Sequence, residues 1–163
     1  MPKTAQISEE LRAFIAAAEA AWLDVYHSAE RDHVISVDHT QYIRLPLKFS
    51  TRTKLIAYFR RYWGIELSNR LFCSLHTVLH QKRLYMIAGD PGDLIYIPRR
   101  VKVLSRSATR IQVTAVLSVD AQEDVDATSV RYIIGKSGDK LTILDRDKKN
   151  IDYRFDPCGS RVD

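Results

Sequence analysis

The stretch Arg110-Ile111-Gln112-Val113-Thr114-Ala115-Val116-Leu117-Ser118-Val119 decides the fold. Successive side chains of an extended chain point to opposite faces, so Ile111, Val113, Ala115, Leu117 and Val119 share one side. The same two-residue period holds at Val101 and Val103, at Val130, Tyr132 and Ile134, and at Leu141 and Ile143. The segments between them, 105–109, 120–127 and 136–139, are rich in turn-forming residues. Neighbouring strands joined by short turns predict an antiparallel meander with one buried face. Working outward, Leu84 to Ala88 reads as a strand, followed by the turn-rich loop Gly89-Asp90-Pro91-Gly92-Asp93. Tyr153 and Phe155 are expected to add a last strand, and the tail from Asp156 is expected to fray.

The buried face needs a cover, and the first half of the chain offers one. Residues 8–30 read as one long helix with Ser8 as its cap and Glu9 and Glu10 in the first turn. Leu11, Phe14, Ile15, Ala18, Trp22, Val25 and Tyr26 recur at three- and four-residue spacing and form a single apolar stripe. Residues 33–47 switch to period two around a turn at Asp38-His39-Thr40-Gln41, which predicts a short hairpin that Pro46 ends or places at an edge. Ser50 or Thr51 opens a second helix carrying Leu55, Ile56, Phe59, Tyr62 and Trp63, and Gly64 is expected to stop it. A third helix over 65–76 carries Leu67, Leu71, Phe72 and Leu75. The order predicts an α+β fold in one domain, 1–163, with a helical part at about 8–76 and a sheet part at about 83–155. N-terminal helices packed on a curved antiparallel sheet are compatible with a cystatin-like or NTF2-like cone.

Composition bounds the function less tightly. The 163 residues are 45% hydrophobic and 28% charged, with 6 Gly and 5 Pro, which excludes collagen-like and wholly disordered chains. No apolar run approaches the ~20 residues of a membrane span. Phe14 to Leu23, interrupted by Glu19 and preceded by Glu9 and Glu10, does not read as a signal peptide, so no leader is expected in the chain as written. The formal charge of +5 favours anionic partners without choosing among cell-wall polymer, nucleic acid and acidic protein. Cys73 and Cys158 are expected to be an ordinary core thiol and a tail thiol, although an oxidising compartment would let them pair.

Several residue groups could carry chemistry. Cys73, His76 and His80 would share a face on a continuous helix, as a zinc site requires, but no fourth ligand can be named and no metal is expected. Cys73 has no evident base to activate it as a nucleophile. Asp90 and Asp93 flank Pro91-Gly92 and read first as turn formers, although loops on a rigid sheet often serve recognition. In Phe59-Arg60-Arg61-Tyr62-Trp63 the aromatics fall on the buried stripe and the arginines outside it. Arg99, Arg100, Lys102 and Arg106, with Arg110, form a basic cluster on a predicted hairpin, and alternation puts Arg100, Lys102 and Arg106 opposite Val101 and Val103. That is a solvated face first and an anion-binding patch second. Asp120, Glu123, Asp124 and Asp126 crowd one turn, read as solvated or as a protein-docking loop. Neither a phosphate-binding glycine loop nor a nucleophile elbow nor a dinucleotide fingerprint is present, so neither catalysis nor a cofactor is expected.

Gln41-Tyr42-Ile43-Arg44-Leu45-Pro46, Thr53-Lys54-Leu55-Ile56-Ala57-Tyr58-Phe59, Arg83-Leu84-Tyr85, Ala88-Gly89-Asp90-Pro91-Gly92 and Val130-Arg131-Tyr132 carry a family resemblance over about 41–155. In these segments, and in the order of its elements, the chain resembles the IseA-type inhibitors of bacterial cell-wall DL-endopeptidases. The resemblance implies a non-enzymatic protein that docks on a secreted peptidase of the cysteine–histidine class and covers its cleft. It implies an extracellular or cell-envelope location and a docking role for the sheet loop, here Gly89, Asp90, Pro91, Gly92 and Asp93. Pro91 is expected to stiffen that loop. The alternative is a cystatin- or NTF2-like pocket protein that binds or converts a small ligand in a cavity lined by Tyr42, Tyr85, Tyr96 and Tyr132. A third reading, nucleic-acid binding through the basic hairpin, is weaker, since the cluster reads first as a solvated face.

Overall fold

The structure is a computed structural model that describes residues 2–120 and 127–159. Among them the chain forms α1 (Pro2–Ser28), β1 (Glu30–Val37), β2 (Thr40–Arg44), α2 (Arg52–Phe59), α3 (Ile65–Ser74), β3 (Val78–His80), β4 (Arg83–Ile87), β5 (Ile97–Arg106), β6 (Arg110–Ser118), β7 (Thr128–Ser137) and β8 (Lys140–Arg146). Short 3₁₀ turns occupy Leu47–Phe49, Lys149–Ile151 and Tyr153–Phe155. The strands form two antiparallel four-stranded sheets, ordered β1-β2-β4-β3 and β5-β6-β7-β8. The architecture is α+β, as the sequence predicts.

The second sheet is the expected meander. Ile111, Val113, Ala115 and Leu117 are buried, as are Val130, Tyr132, Ile134 and Ile143 on its neighbouring strands. Their cover is the stripe of α1, where Leu11, Ile15, Ala18, Trp22, Val25 and Tyr26 are buried in the same core. Trp63 ties the layers together, since its indole Nε1 donates to the Ala18 carbonyl at 3.0 Å. The same segment extends the β8 edge, with Gly64 N donating to Ile143 O at 2.8 Å and Ile143 N to Tyr62 O at 2.7 Å.

Six local expectations need correction. Leu84 to Ala88 does not open the meander; β4 pairs with β2 and with β3, a three-residue strand too short to show a period. The N-terminal hairpin therefore has a sheet of its own. The long helix begins before Ser8, which lies inside it, and Glu9 pairs with Arg12 instead of lying in a first turn. Gly64 does not stop α2, which ends at Phe59; its extended backbone caps the start of α3. Tyr153 and Phe155 form a 3₁₀ turn, not a strand, because the Asp152 side chain accepts from Arg154 N at 3.0 Å and closes the backbone locally. The tail through residue 159 is anchored. Cys158 is bonded to Cys73 of α3, and Arg70 Nη1 donates to Phe155 O at 2.9 Å. The two cysteines, expected to be separate, lie 85 residues apart in sequence with Cα atoms 5.4 Å apart.

The hairpin expectation holds in finer form. Asp38 and His39 make a two-residue turn with φ of 49° and 68°, the left-handed pair whose twist matches antiparallel strands. Thr51 caps α2 by accepting from Lys54 N at 3.1 Å.

Two stability outcomes follow from this packing. Ile134→Ala, in the fully buried row of β7, is expected to cost about 2–5 kcal/mol in urea unfolding. Cys158→Ser, or reduction of the wild type, is expected to lower stability by about 2–4 kcal/mol, read as a drop in the denaturation midpoint on adding dithiothreitol.

Candidate partner-docking site

Residues 88–96 connect the two sheets without regular structure of their own. Gly92 has φ of 78°, a conformation that favours glycine, and Asp90 Oδ1 accepts from Gly92 N at 2.8 Å to close a tight turn. Pro91 fixes its own φ and offers only a carbonyl, which accepts from the Tyr153 hydroxyl at 2.7 Å. Both ends are tied: Ala88 N donates to Gln41 O at 2.9 Å, Tyr96 N donates to Ser118 O at 3.2 Å, and the Leu94 side chain is buried. Gly89, Asp90, Gly92 and Asp93 stay exposed. The product is a short, largely exposed loop held at its base and its middle.

A cleft flanks the loop on each side. The larger, about 740 Å³, opens between α1, the end of the first sheet and the loop. Its wall is aromatic: Trp22 and Tyr26 stack at 5.6 Å, and Tyr153 meets Trp22 edge-on at 5.8 Å, with Tyr42 and His76 also lining the space. Ser74 lines it too, but its hydroxyl accepts from Trp22 Nε1 at 2.8 Å and donates to Leu71 O at 2.7 Å, so its proton is already committed. The smaller cleft, about 280 Å³, separates the loop from the ends of β7 and β8. Tyr153 and Pro91 form the wall common to both. Burial, above all, pushes the Tyr153 hydroxyl up to about 12, so it remains a neutral donor to Pro91 across the physiological range.

Beneath the smaller cleft lies a buried ionic cluster that joins α1 to the C-terminal turn. Glu19, fully buried, accepts from Tyr132 Oη at 2.7 Å, Arg146 Nε at 2.7 Å and Arg154 Nη2 at 2.9 Å. Arg154 also donates to the Glu19 backbone carbonyl at 3.0 Å and to both oxygens of Asp152, at 3.0 and 2.7 Å. Both guanidinium groups stack over Phe155, at 4.6 and 5.1 Å. Burial is the largest influence and disfavours their charges, but the Glu19 and Asp152 carboxylates together outweigh it, and both hold their protons more tightly than a free arginine. The Tyr132 hydroxyl is pushed well above its ordinary range, by burial first and then by the charge of Glu19. For Asp152, burial pulls upward, but hydrogen bonds from Arg154 and the charges of Arg154 and Arg146 outweigh it and hold the carboxyl below its usual value.

The structure distributes the residues singled out from the sequence unevenly. The five loop residues are contiguous and four are exposed. The four tyrosines do not converge. Tyr42 lines the larger cleft, Tyr85 packs within the first sheet edge-on to His80, Tyr96 is half-buried on the β5 side, and Tyr132 is in the core. The basic residues do not form one row either. Arg100 and Lys102 pair with Val116 and Thr114 on the outward face, and Arg99 occupies a bulge with Nη1 donating to Asp120 O at 3.2 Å. A register shift between Val103 and Ser105 brings Arg106 opposite Ile111 and so onto the other face, which corrects the alternation read from sequence. Cys73, His76 and His80 share no helix face, because α3 ends at Ser74 and His80 lies in β3. Of the acidic turn, Glu123, Asp124 and Asp126 lie outside the described residues. Sequence reasoning missed Arg146, Asp152 and Arg154, and gave Tyr153 the wrong element. One signal was present for Glu19: it lies four residues after Ile15 on the apolar stripe of α1, where a charge needs a partner.

A family model described as IseA DL-endopeptidase inhibitor matches residues 4–146 of the chain. The match extends farther toward the N-terminus than the resemblance over 41–155 and takes in α1. No curated protein matches the chain.

The cluster predicts an acid-sensitive fold. The carboxyl of Asp152 is depressed in the folded state, so the unfolded chain binds more protons in acid. Its contribution is present above the ordinary aspartate range, near ~4, and is lost as pH falls below it. Urea midpoints should therefore fall between pH 6 and pH 3. Asp152→Asn should flatten part of that slope while costing about 3–5 kcal/mol at pH 6, because Arg154 is left buried with one carboxylate fewer.

Proposed function

The chain belongs to the IseA DL-endopeptidase inhibitor family, and from that premise we propose that it is a non-enzymatic protein that docks on a cell-wall DL-endopeptidase through the loop Gly89–Asp93. The observation that carries this reading is the exposed loop itself, pinned at Pro91 by the Tyr153 hydroxyl, with a cleft on either side. A loop already held in one conformation loses little freedom when a partner closes around it. The clefts beside it can accept the partner's rims while the exposed tip, Asp90 to Asp93, enters a concave site. Such a target operates outside the cell membrane, so the reading places this protein in the envelope or beyond it. The Cys73–Cys158 bond supports that compartment, since structural disulfides persist in oxidising surroundings.

The test is inhibition of a purified DL-endopeptidase of the cysteine–histidine class on peptidoglycan, with increasing amounts of the protein. Saturable inhibition is expected. Tyr153→Phe removes the pin and keeps the ring, and it should weaken inhibition several-fold while the melting temperature changes little. Asp90→Ala, which also opens the turn to Gly92, should weaken it further. Absence of inhibition across several such peptidases would sink the proposal.

A further inference from the structure

The smaller cleft has a charged floor that the docking reading does not use. Arg146 lines it and is 2% exposed. Its Nε donates to Glu19 Oε2 at 2.7 Å, and its Nη2 reaches Glu19 Oε1 at 3.4 Å and lies 3.7 Å from Asp152 Oδ2. Nη1 has no hydrogen-bond partner among the described residues. It is not sealed away either, because among these residues the buried side-chain nitrogen or oxygen left without a partner is Arg83 Nε. Nη1 therefore keeps a small solvent contact, and Arg146 is part of the lining of the cleft.

The other groups facing this space set the sign of what it can hold. Asp152 has both oxygens engaged by Arg154, and its charge is offset. Lys148 is exposed at the rim, and Asp93 is exposed on the loop opposite. Leu94, Ile95, Val130 and Ile151 supply apolar walls. A rigid planar donor with two free hydrogens, at the base of a small and partly apolar cavity, matches a carboxylate carried on a short aliphatic chain.

We propose that this cleft is a carboxylate-binding subsite, with Arg146 Nη1 as the donor, Lys148 as the attracting charge at the rim and Asp93 as the opposing one. The carboxylate has two conceivable sources, a small acidic peptide or amino acid free in solution and an acidic residue of a docked peptidase. The free-ligand source does not depend on the docking reading.

The experiment titrates the full chain with N-acetylglutamate and, separately, with its uncharged diamide, following backbone amides and the Arg146 Nε–H by NMR. N-acetylglutamate is expected to shift Arg146 and Val130, and the diamide to shift neither. Lys148→Glu should weaken binding by about threefold or more and Asp93→Asn should tighten it by about twofold, the scale of single exposed charges. Both variants alter exposed side chains and leave the buried cluster intact, so the fold is retained. If N-acetylglutamate does not bind, the second arm measures peptidase inhibition by the same two variants. Weaker inhibition by Lys148→Glu with stronger inhibition by Asp93→Asn assigns the carboxylate to the partner. Equal binding of acid and diamide, shifts confined to the aromatic cleft, or indifference to both variants in both arms overturns the subsite. Failure of the docking reading is seen independently, as loss of inhibition by the unmodified protein.

Discussion

A single carboxylate organises this molecule. Glu19 is fully buried in the middle of α1 and faces Tyr132 of β7, Arg146 at the end of β8 and Arg154 of the last 3₁₀ turn. Three C-terminal segments, separated from Glu19 by 113, 127 and 135 residues, thus converge on one side chain. Removing a charge from water costs several kcal/mol, so such a cluster is no guarantee of net stability against an apolar alternative. What it does enforce is register. With Arg146 and Arg154 both buried, any arrangement that displaces α1 along the meander leaves uncompensated guanidinium groups in the core. The apolar stripe of α1 could slide by a turn at modest cost; the ion cluster fixes one position.

That constraint extends to the surface through one residue. Tyr153 precedes Arg154, and its hydroxyl holds Pro91. The buried cluster thereby fixes the C-terminal turn, the turn fixes Tyr153, and Tyr153 fixes the loop between the two clefts. The disulfide from Cys158 to α3 and the bond from Arg70 to Phe155 O hold the same turn from the other side. The site proposed for docking and the core of the protein are in this sense one mechanical unit.

The meander, α1 and the N-terminal hairpin were legible in the sequence because each buries a whole face, and burial imposes a period. Ile111, Val113 and Leu117 could be placed inside from alternation alone. What escaped was set by contacts between segments or by local hydrogen bonds that leave no period. The register shift near Val103 moves Arg106 across the sheet with no change in composition. β3 is three residues long. The pairing of Cys73 with Cys158 depends on where a 3₁₀ turn carries the tail, and that turn depends on Asp152 folding back on Arg154. The loop was readable as a loop from its glycines, proline and aspartates, but not the clefts beside it, since one forms where the loop meets α1 and the first sheet and the other where it meets β7, β8 and the C-terminal turn, contacts the sequence does not express. The tyrosines failed as a pocket for a related reason: aromatic residues fill cores as readily as they line cavities.

For the docking proposed above, the Tyr153–Pro91 contact has a kinetic consequence. A binding loop that must first be selected from many conformers associates slowly and gives up part of its contact energy to ordering. One fastened at its midpoint to the C-terminal turn meets its target in a single shape, so encounter rates should depend mainly on charge and diffusion. Variation in affinity among related targets would then appear as differences in residence time.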